Sequence, residues 1–260
     1  MSTGDIFAPD FKDTPYWWEA APPTKVEPSS PPARVDVAIV GAGITGLNAA
    51  IELARAGRSV VALDAENLGH GASTRNAGYV GRTLKHSFSE LLRKYGAAYA
   101  VSAYSEMQAA FDAVAERVRT EQIECGFKVR GRLILARAQR QYEDLEQEWT
   151  LRKAHLGGEF TMLSRKQLRD EIASDAFYGG ALIPDLASIH PGLYHRGLLD
   201  RARAAGVELI GGTPVERVTP LTGGGFDIAT PRGTTRARDV LVATNGYTGN
   251  LLPWLQRRLI

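Results

Sequence analysis

Residues 35–46 read Val-Asp-Val-Ala-Ile-Val-Gly-Ala-Gly-Ile-Thr-Gly, and this stretch decides the fold. The nearly continuous apolar run at 35–40 is rich in β-branched residues, which predicts a strand buried on both faces. A helical pattern follows the glycine-rich turn, Gly57 stands where that helix would end, and residues 59–63 form a second apolar run. Strand, helix and strand in succession make a βαβ unit, so the sequence predicts an α/β fold.

The turn carries the spacing G-x-G-x-x-G, with glycine at positions 41, 43 and 46. Gly41 permits a tight turn, Gly43 leaves room for a pyrophosphate, and Gly46 allows the helix to pack closely on the strand. The helix N-terminus offers unpaired N–H groups and a partial positive charge to phosphate. Because a strand precedes the motif and a helix follows it, the motif predicts dinucleotide binding. The alternative is a glycine-rich turn in an unrelated α/β protein.

An acidic residue, Asp64, ends the second predicted strand. A carboxylate at this point can accept hydrogen bonds from ribose hydroxyl groups, and it disfavours the ribose phosphate of NADP. The alternative role for Asp64 is that of a helix cap at the end of the strand.

A second glycine-rich segment, residues 69–78, reads Gly-His-Gly-Ala-Ser-Thr-Arg-Asn-Ala-Gly and follows the second predicted strand. Its small residues would let a loop wrap closely around a planar polar ligand. Arg75 offers a charge-assisted hydrogen bond to phosphate, and Ser73 offers a hydroxyl. Taken alone, the segment is also compatible with an ordinary surface loop.

The two motifs together resemble those of the D-amino-acid oxidase-like FAD-dependent oxidoreductases, whose pattern G-A-S-x-R-N-x-G is matched by residues 71–78. Three later segments, at 189–192, 213–218 and 240–246, resemble family segments near the cofactor. The aromatic and proline-rich N-terminal region looks most like the branch that contains gamma-glutamylputrescine oxidoreductase. The resemblance implies a set of FAD-binding residues. These are Gly41, Ala42, Gly43, Thr45, Gly46, Asp64, Gly71, Ala72, Ser73, Arg75, Asn76, Ala77, Gly78, Val215, Ala243 and Thr244.

The resemblance also implies the chemistry. FAD would be bound non-covalently, because Arg75 and Asn76 occupy the stretch where some relatives carry a flavin-linking histidine. The C–N bond of an amine or amino acid would be oxidised to an imine as a hydride passes to the flavin. No catalytic acid or base is identified, because a neutral amine can lose hydride directly. We expect His70 and His86 to be loop histidines and Cys125 to be a buried apolar residue.

Composition limits the other possibilities. The chain has 260 residues, 44% of them hydrophobic and 23% charged, as in ordinary globular domains. A net charge of +2 gives no electrostatic case for a nucleic-acid partner, and the five histidines show no metal-ligand spacing. A single cysteine favours a reducing compartment, so we predict a cytoplasmic location. We also expect neither a secretory signal nor a transmembrane segment, because the sequence has no apolar run that would indicate one. The expected partner is a small-molecule amine or amino-acid substrate, and the oligomeric state is not indicated.

The pattern predicts a Rossmann-like FAD-binding domain into which an incomplete α+β substrate domain is inserted. The predicted boundaries are an extended proline-rich arm at 1–34, the FAD-binding domain at 35–85 and 190–260, and the substrate-domain portion at 86–189. The boundaries follow the change to a long helical pattern at 87–122, in which Gly96 marks a break, and the return of FAD-domain patterning near residue 190. After Gly206 the pattern predicts short strands at 207–210, 215–219, 226–229 and 240–243. We expect the aromatic residues at 16–18 to dock on the folded body; the alternative is contact with a partner or substrate.

Family members are typically longer, so the resemblance implies an N-terminal portion that lacks much of the substrate pocket. We therefore expect weak FAD affinity, reduced solubility and little turnover from this chain alone. Two other functions stay open at this point. One is a catalytically weak nucleotide-binding fragment, and the other is a different chemistry on the same scaffold, such as that of a glycerol-3-phosphate or tRNA-modifying oxidoreductase.

Overall fold

The computed structural model describes residues 7–27 and 29–258, which divide into two compact units. Unit 1 contains the residues up to Ala77, the short segment Ile123–Cys125 and the residues from His190 onward, and unit 2 contains Gly78–Gln122 and Gly126–Ile189. Parts of the predicted arm, residues 1–6 and Pro28, lie outside the described residues, as do Leu259 and Ile260.

The described residues contain twelve strands and six α-helices, in the following order along the chain. They are β1 (Arg34–Val40), α1 (Ile44–Arg55), β2 (Val60–Leu63), β3 (Tyr79–Val80), α2 (Phe88–Thr120), β4 (Lys128–Val129), β5 (Arg132–Ala136), α3 (Gln139–Leu156), β6 (Thr161–Ser164), α4 (Arg165–Leu168), β7 (Gly179–Ile183), β8 (Ala187–Ser188), α5 (Pro191–Ala204), β9 (Glu208–Ile210), β10 (Arg217–Pro220), β11 (Phe226–Thr230), β12 (Gly233–Val242) and α6 (Pro253–Gln256). Within the described residues, no helix is both long enough and apolar enough to cross a membrane.

Unit 1 is built on a sheet with the strand order β10-β11-β12-β1-β2-β9. The strands β12, β1, β2 and β9 run parallel, and β10 and β11 extend the sheet in antiparallel pairing. The β1-α1-β2 succession with parallel β1 and β2 confirms the predicted βαβ unit and the α/β class. The parallel strands are buried, with Ala38 and Ile39 fully inaccessible, as their continuous apolar sequence requires.

Helices α1 and α5 pack against each other in unit 1. The inward residues of α1 include Leu47, Ala50 and Ile51, all fully buried, and a positive φ of 78° at Gly57 ends the turn after the helix. The buried face of α5 contains Leu198, Leu199 and Ala202 at helical spacing. These two helices therefore carry the apolar stripes that the sequence predicts for an α/β layer.

Three details of unit 1 differ from the prediction. Strand β12 begins at Gly233 rather than at 240, because Thr235 and Ala237 face inward between exposed arginines. Strand β10 begins at Arg217, so Val215 lies in the preceding connection. The arm is not extended throughout, since residues 16–18 form a short 3-10 helix after Pro15; proline at that point precedes the helical turn and does not interrupt it.

Unit 2 contains an antiparallel sheet with the strand order β5-β7-β6 and a second group of short strands with the order β3-β8-β4. Helices α2 and α3 pack on each other, and α3 also contacts β5 and β7. The predicted break in the first long helix is confirmed at Gly96, where φ is 82°. Elements β3, β6, α4 and β8 were not predicted, because none of them is longer than four residues and such short segments show no reliable periodicity.

Candidate functional site

The candidate site lies at the carboxyl ends of three parallel strands of unit 1. Gly41 follows β1, Asp64 follows β2 and Ala243 follows β12. The main chain ties these ends together, because the Gly41 N–H donates to the Leu63 carbonyl at 2.8 Å and the Ala243 N–H donates to the Val40 carbonyl at 2.8 Å. Ligands of parallel α/β sheets bind at such carboxyl ends.

Two glycines of the first motif are required by close backbone contacts. At Gly41 φ is +103°, and a Cβ would lie 2.7 Å from the carbonyl oxygen of Ala243. At Gly46 a Cβ would lie 2.0 Å from the carbonyl oxygen of Gly41 and 3.2 Å from Cγ2 of Ile39. The first glycine therefore permits the turn, and the last permits close contact between α1 and β1, as the sequence predicts.

The turn before α1 presents backbone N–H groups that the protein does not use. Within the described residues, the amides of Gly43 and Thr45 donate to no acceptor. The amides of Ala42 and Ile44 are occupied, because Ala42 donates to Oδ2 of Asp64 at 2.9 Å and Ile44 donates to Oγ of Ser73 at 3.0 Å. Two open amides at a helix N-terminus, with its partial positive charge, fit the pyrophosphate of a dinucleotide.

Ser73 joins the two sequence motifs. It lies in the short 3-10 turn Ala72–Thr74, and its hydroxyl oxygen caps α1 by accepting from Ile44. A Cβ on Gly43 would lie 2.9 Å from this oxygen, so the glycine is required by Ser73 as well as by the predicted phosphate path. The contact of Ser73 with phosphate stays a prediction, because the structure assigns its hydroxyl to the end of α1.

Asp64 holds the glycine turn in place. Its Oδ2 accepts from Ala42, and its Oδ1 accepts from the Glu66 amide at 3.2 Å. Asp64 therefore serves the loop rather than the end of a helix. A carboxylate has about four acceptor positions. The predicted hydrogen bonds to ribose hydroxyls are compatible with these two contacts and stay a prediction.

The second motif folds on itself and on the N-terminal arm. The Asn76 side chain donates to the carbonyls of Ala72 and Ser73, at 3.2 and 3.0 Å. Arg75 is exposed, lies 2.9 Å from Nε2 of His70 through one guanidinium nitrogen, and stacks 4.7 Å from the ring centroid of Trp18. The predicted contact between Arg75 and phosphate is therefore not among the contacts that the structure shows, and it stays a prediction.

The arm docks through its aromatic residues, as predicted. The indole N–H of Trp17 donates to the Asn76 carbonyl at 2.8 Å, and that of Trp18 donates to Oγ1 of Thr74 at 2.8 Å. Farther along, Thr24 and Leu68 exchange backbone hydrogen bonds of 2.8 and 3.2 Å. The arm thus holds the second motif at both of its sides.

His195 on α5 is a site residue that the sequence analysis missed. It is 2% exposed, and its Nε2 lies 2.8 Å from the Ala42 carbonyl oxygen, which can only accept. A Cβ on Gly69 would lie 3.1 Å from its Nδ1, so the ring fills the space between the two glycine-rich segments. Burial lowers the pKa of His195, although the Ala42 hydrogen bond and the charge of Asp64 act in the opposite direction. The only signal in the sequence was a histidine on the apolar face of α5.

The remaining predicted residues differ in their burial and in their hydrogen bonds. Val215 is half-buried against the sheet core, and its backbone N–H and C=O bond to no other described residue, which leaves both open to a ligand edge. Thr244 donates to or accepts from Thr248 at 2.8 Å between their hydroxyls. Gly71 and Ala72 lie half-buried in the Ser73 turn and Ala77 is exposed, whereas Gly78 belongs to unit 2. In the described part of the chain, no three His, Cys, Asp or Glu side chains are grouped as metal ligands.

Comparison with known proteins identifies relatives for most of the chain. The family described as "FAD dependent oxidoreductase" matches residues 36–260. Gamma-glutamylputrescine oxidoreductase of Escherichia coli (strain K12) is 32% identical over 227 residues, which are 86% of this chain and 52% of that protein. Probable oxidoreductase OrdL of Rhizobium meliloti (strain 1021) is 32% identical over 242 residues, 91% of this chain and 56% of that protein.

Among solved structures, glycine oxidase from Geobacillus kaustophilus superposes with a TM-score of 0.72 at 26% identity. The superposition covers 85% of this chain and 58% of that one. The chain therefore spans little more than half the length of the proteins that it matches.

Proposed function

This chain belongs to the family of FAD-dependent oxidoreductases, and from that premise we propose that unit 1 binds FAD non-covalently for the oxidation of an amine or amino acid. The observation that carries the proposal is the pair of open amides at Gly43 and Thr45, which lie in a glycine-rich turn at a helix N-terminus. Such a turn attracts an anion and admits its close approach.

The residues fit the parts of FAD in an order that follows the strands. The pyrophosphate would accept from the amides of Gly43 and Thr45, and a ribose would donate to the carboxylate of Asp64. The open backbone groups of Val215 suit the hydrogen-bonding edge of the adenine. When bound, FAD supplies the acceptor for a hydride from the carbon of the substrate C–N bond. The chain itself binds and orients the cofactor.

We infer the substrate class from the relatives and not from a pocket of this chain. Two of the relatives act, by their names, on gamma-glutamylputrescine and on glycine, which both carry an amino group. We therefore propose an amine or amino-acid substrate for the whole protein. The single cysteine, Cys125, is fully buried, and we propose a cytoplasmic location on the basis of this cysteine content.

The cofactor assignment is tested by titrating the purified 260-residue chain with FAD and following flavin fluorescence. Gly43→Val should abolish binding while the chain still unfolds cooperatively, because the branched side chain fills the path of the pyrophosphate. Ala56→Val, at the exposed opposite end of α1, is the matched control and should bind as the parent does. Normal flavin stoichiometry in Gly43→Val would show that the site is elsewhere.

The redox assignment needs a separate measurement. Because we expect little turnover from these 260 residues alone, the test uses the FAD complex of a chain extended to the length of the relatives. It is mixed anaerobically with a panel of amines and amino acids, and the visible absorbance of the oxidised flavin is followed. Bleaching with a panel member supports oxidation at the C–N bond. Tight FAD binding without bleaching by any member would favour the alternative of a nucleotide-binding protein without this chemistry.

A further inference from the structure

Unit 2 contains a cavity of about 400 Å³ that the cofactor assignment does not use. Its walls come from helices α2 and α3 and from the segments around 158–160 and 183–185, all within unit 2. None of its lining residues is a predicted FAD contact. The lining combines aromatic rings with several charged groups, which include Arg82, Arg152, Lys153, Glu159 and Asp185.

Arg152 is held in the cavity wall without a polar partner. Its guanidinium carbon lies 3.9 Å from the ring centroid of Trp149 and 4.7 Å from that of Tyr104. Among the described residues, it makes neither a hydrogen bond nor an ion pair, and its Nε is buried without an acceptor. Stacking on aromatic faces fixes the plane of a guanidinium but leaves its N–H groups open at the edge.

The charges around the cavity leave an excess of positive charge. Lys153 pairs with Glu159 at 2.8 Å, and Asp185 pairs with Arg132 at 2.9 Å, so each carboxylate already has a cationic partner other than Arg82 and Arg152. The second oxygen of Asp185, Oδ1, is buried and accepts no hydrogen bond from a described residue. Arg82 donates to neutral acceptors, the Gln108 side chain and the Asp185 carbonyl. Burial lowers the pKa of Arg152, although the charges of the nearby carboxylates of Asp185 and Glu148 act in the opposite direction. Arginine nevertheless stays charged in proteins. Among the described residues, the guanidinium groups of Arg82 and Arg152 therefore line the cavity without a direct ion pair.

We propose that this cavity binds a small organic carboxylate through the guanidinium edge of Arg152, with Arg82 as a second cationic group. A carboxylate is planar and matches the two-pronged donor geometry of arginine. The aromatic and aliphatic wall formed by Trp149, Phe160 and Ile183 suits an organic body. The buried carboxylate of Asp185 in the same wall disfavours a dianion such as phosphate.

The ligand class is tested on the unsubstituted 260-residue chain by calorimetric titration at low salt. Phenylacetate is the probe, phenylacetamide is its neutral match in shape, and inorganic phosphate is the competing anion. We expect phenylacetate to bind at least about tenfold more tightly than the amide, the difference produced by one charge-assisted hydrogen-bonding pair. Equal binding of acid and amide overturns the proposal, and tighter binding of phosphate overturns the choice of a carboxylate.

The residue assignment is tested with substitutions on one helix. Arg152→Gln should weaken phenylacetate binding by about tenfold to a hundredfold. Arg140→Gln removes the same charge from an exposed position of α3 outside the cavity and should change nothing. Arg152→Lys, which keeps the charge but loses the planar fork, should fall between them. Equal affinities in the Arg152→Gln and Arg140→Gln proteins would overturn the assignment, and should Arg152→Gln fail to fold, the comparison of acid and amide on the parent chain still decides.

The proposal does not rest on FAD binding. Phenylacetate titrations of the Gly43→Val protein should give the parent's affinity whether or not flavin binds, since no lining residue belongs to the glycine motifs. Loss of flavin binding and loss of carboxylate binding are therefore separate results.

Discussion

Replacing His195 with leucine should loosen the glycine turn without replacing any residue that we expect to contact FAD. The side chain is 2% exposed, and its Nε2–H is the donor to the Ala42 carbonyl at 2.8 Å. Ala42 is 1% exposed, so water cannot replace that donor. Leaving a buried acceptor unsatisfied costs about 1–3 kcal/mol, and leucine is similar enough in size to add little cavity cost. For a chain of this size each kcal/mol lowers the melting temperature by roughly 2–4 °C, so the expected decrease is about 2–12 °C.

The assay compares three proteins by thermal unfolding and by FAD titration. The matched control is His195→Gln, because the glutamine amide can still donate to Ala42. We expect the melting temperature to follow the order parent, His195→Gln and His195→Leu, and FAD affinity to follow the same order. The affinity should fall because Ala42 adjoins the open amide of Gly43 and fixes its direction.

The pH dependence of the protein's stability provides a second test of the hydrogen bond between His195 and Ala42. Burial lowers the pKa of His195 below that of the unfolded chain, so the unfolded state takes up the proton more readily. This residue therefore reduces stability as the pH falls through the unfolded histidine value of about 6.5. The decrease should be smaller in His195→Gln, which cannot titrate. A leucine protein as stable as the glutamine protein, together with identical pH profiles for parent and His195→Gln, would refute the assigned role.

Three further predictions concern other contacts. Gly46→Ala should prevent unit 1 from folding, because its Cβ would lie 2.0 Å from the Gly41 carbonyl oxygen. Gly223→Ala is the control, because its Cβ would have no atom within 4 Å, and it should leave the melting temperature nearly unchanged. Thermal melting followed by circular dichroism compares the two proteins. Trp18→Phe should lower the free energy of unfolding by about 0.5–1.5 kcal/mol, because the hydrogen bond to Thr74 is lost. Trp254→Phe, at an exposed ring, should lower it by less, and urea unfolding measures both. Arg132→Met should cost about 3–5 kcal/mol by leaving Asp185 buried and unpaired, and Asp185→Asn in the same protein should recover part of that loss; a double-mutant cycle without such coupling would contradict the pairing.

The β1-α1-β2 unit could be predicted from the sequence, because its signals lie in adjacent residues. The run at 35–40, the glycine spacing after it and the apolar helical face of α1 all predict the same strand-turn-helix unit, and the fold contains that unit. The first half of β12 could not be predicted in this way. Its inward residues are Thr235 and Ala237, and they count as core positions only because β1 and β11 cover them on both sides.

The candidate site was predicted by position and only partly by role. The glycines at 41 and 46 have the functions that their spacing indicates, because these functions are backbone contacts between adjacent elements. The contact of Ser73 with phosphate stays a prediction, and the structure adds a contact that the sequence did not indicate, because its hydroxyl accepts from Ile44, 29 residues earlier in the chain. A hydroxyl can serve a helix end or a ligand with equal chemistry, and only the tertiary position of the loop decides between them.

The contacts around the glycine turn suggest why residues remote from the ligand should govern its affinity. A turn of this composition loses more conformational entropy than others when it is ordered, so an unsupported one would bind phosphate weakly. Here Asp64 and His195 fix the two sides of Ala42, Ser73 fixes Ile44, and Trp17 and Trp18 in turn fix the loop that carries Ser73. The open amide of Gly43 lies between these fixed residues, and its direction is set before any ligand arrives. Its affinity for a pyrophosphate should therefore depend on each of these supports, since a site that is already ordered avoids that cost on binding.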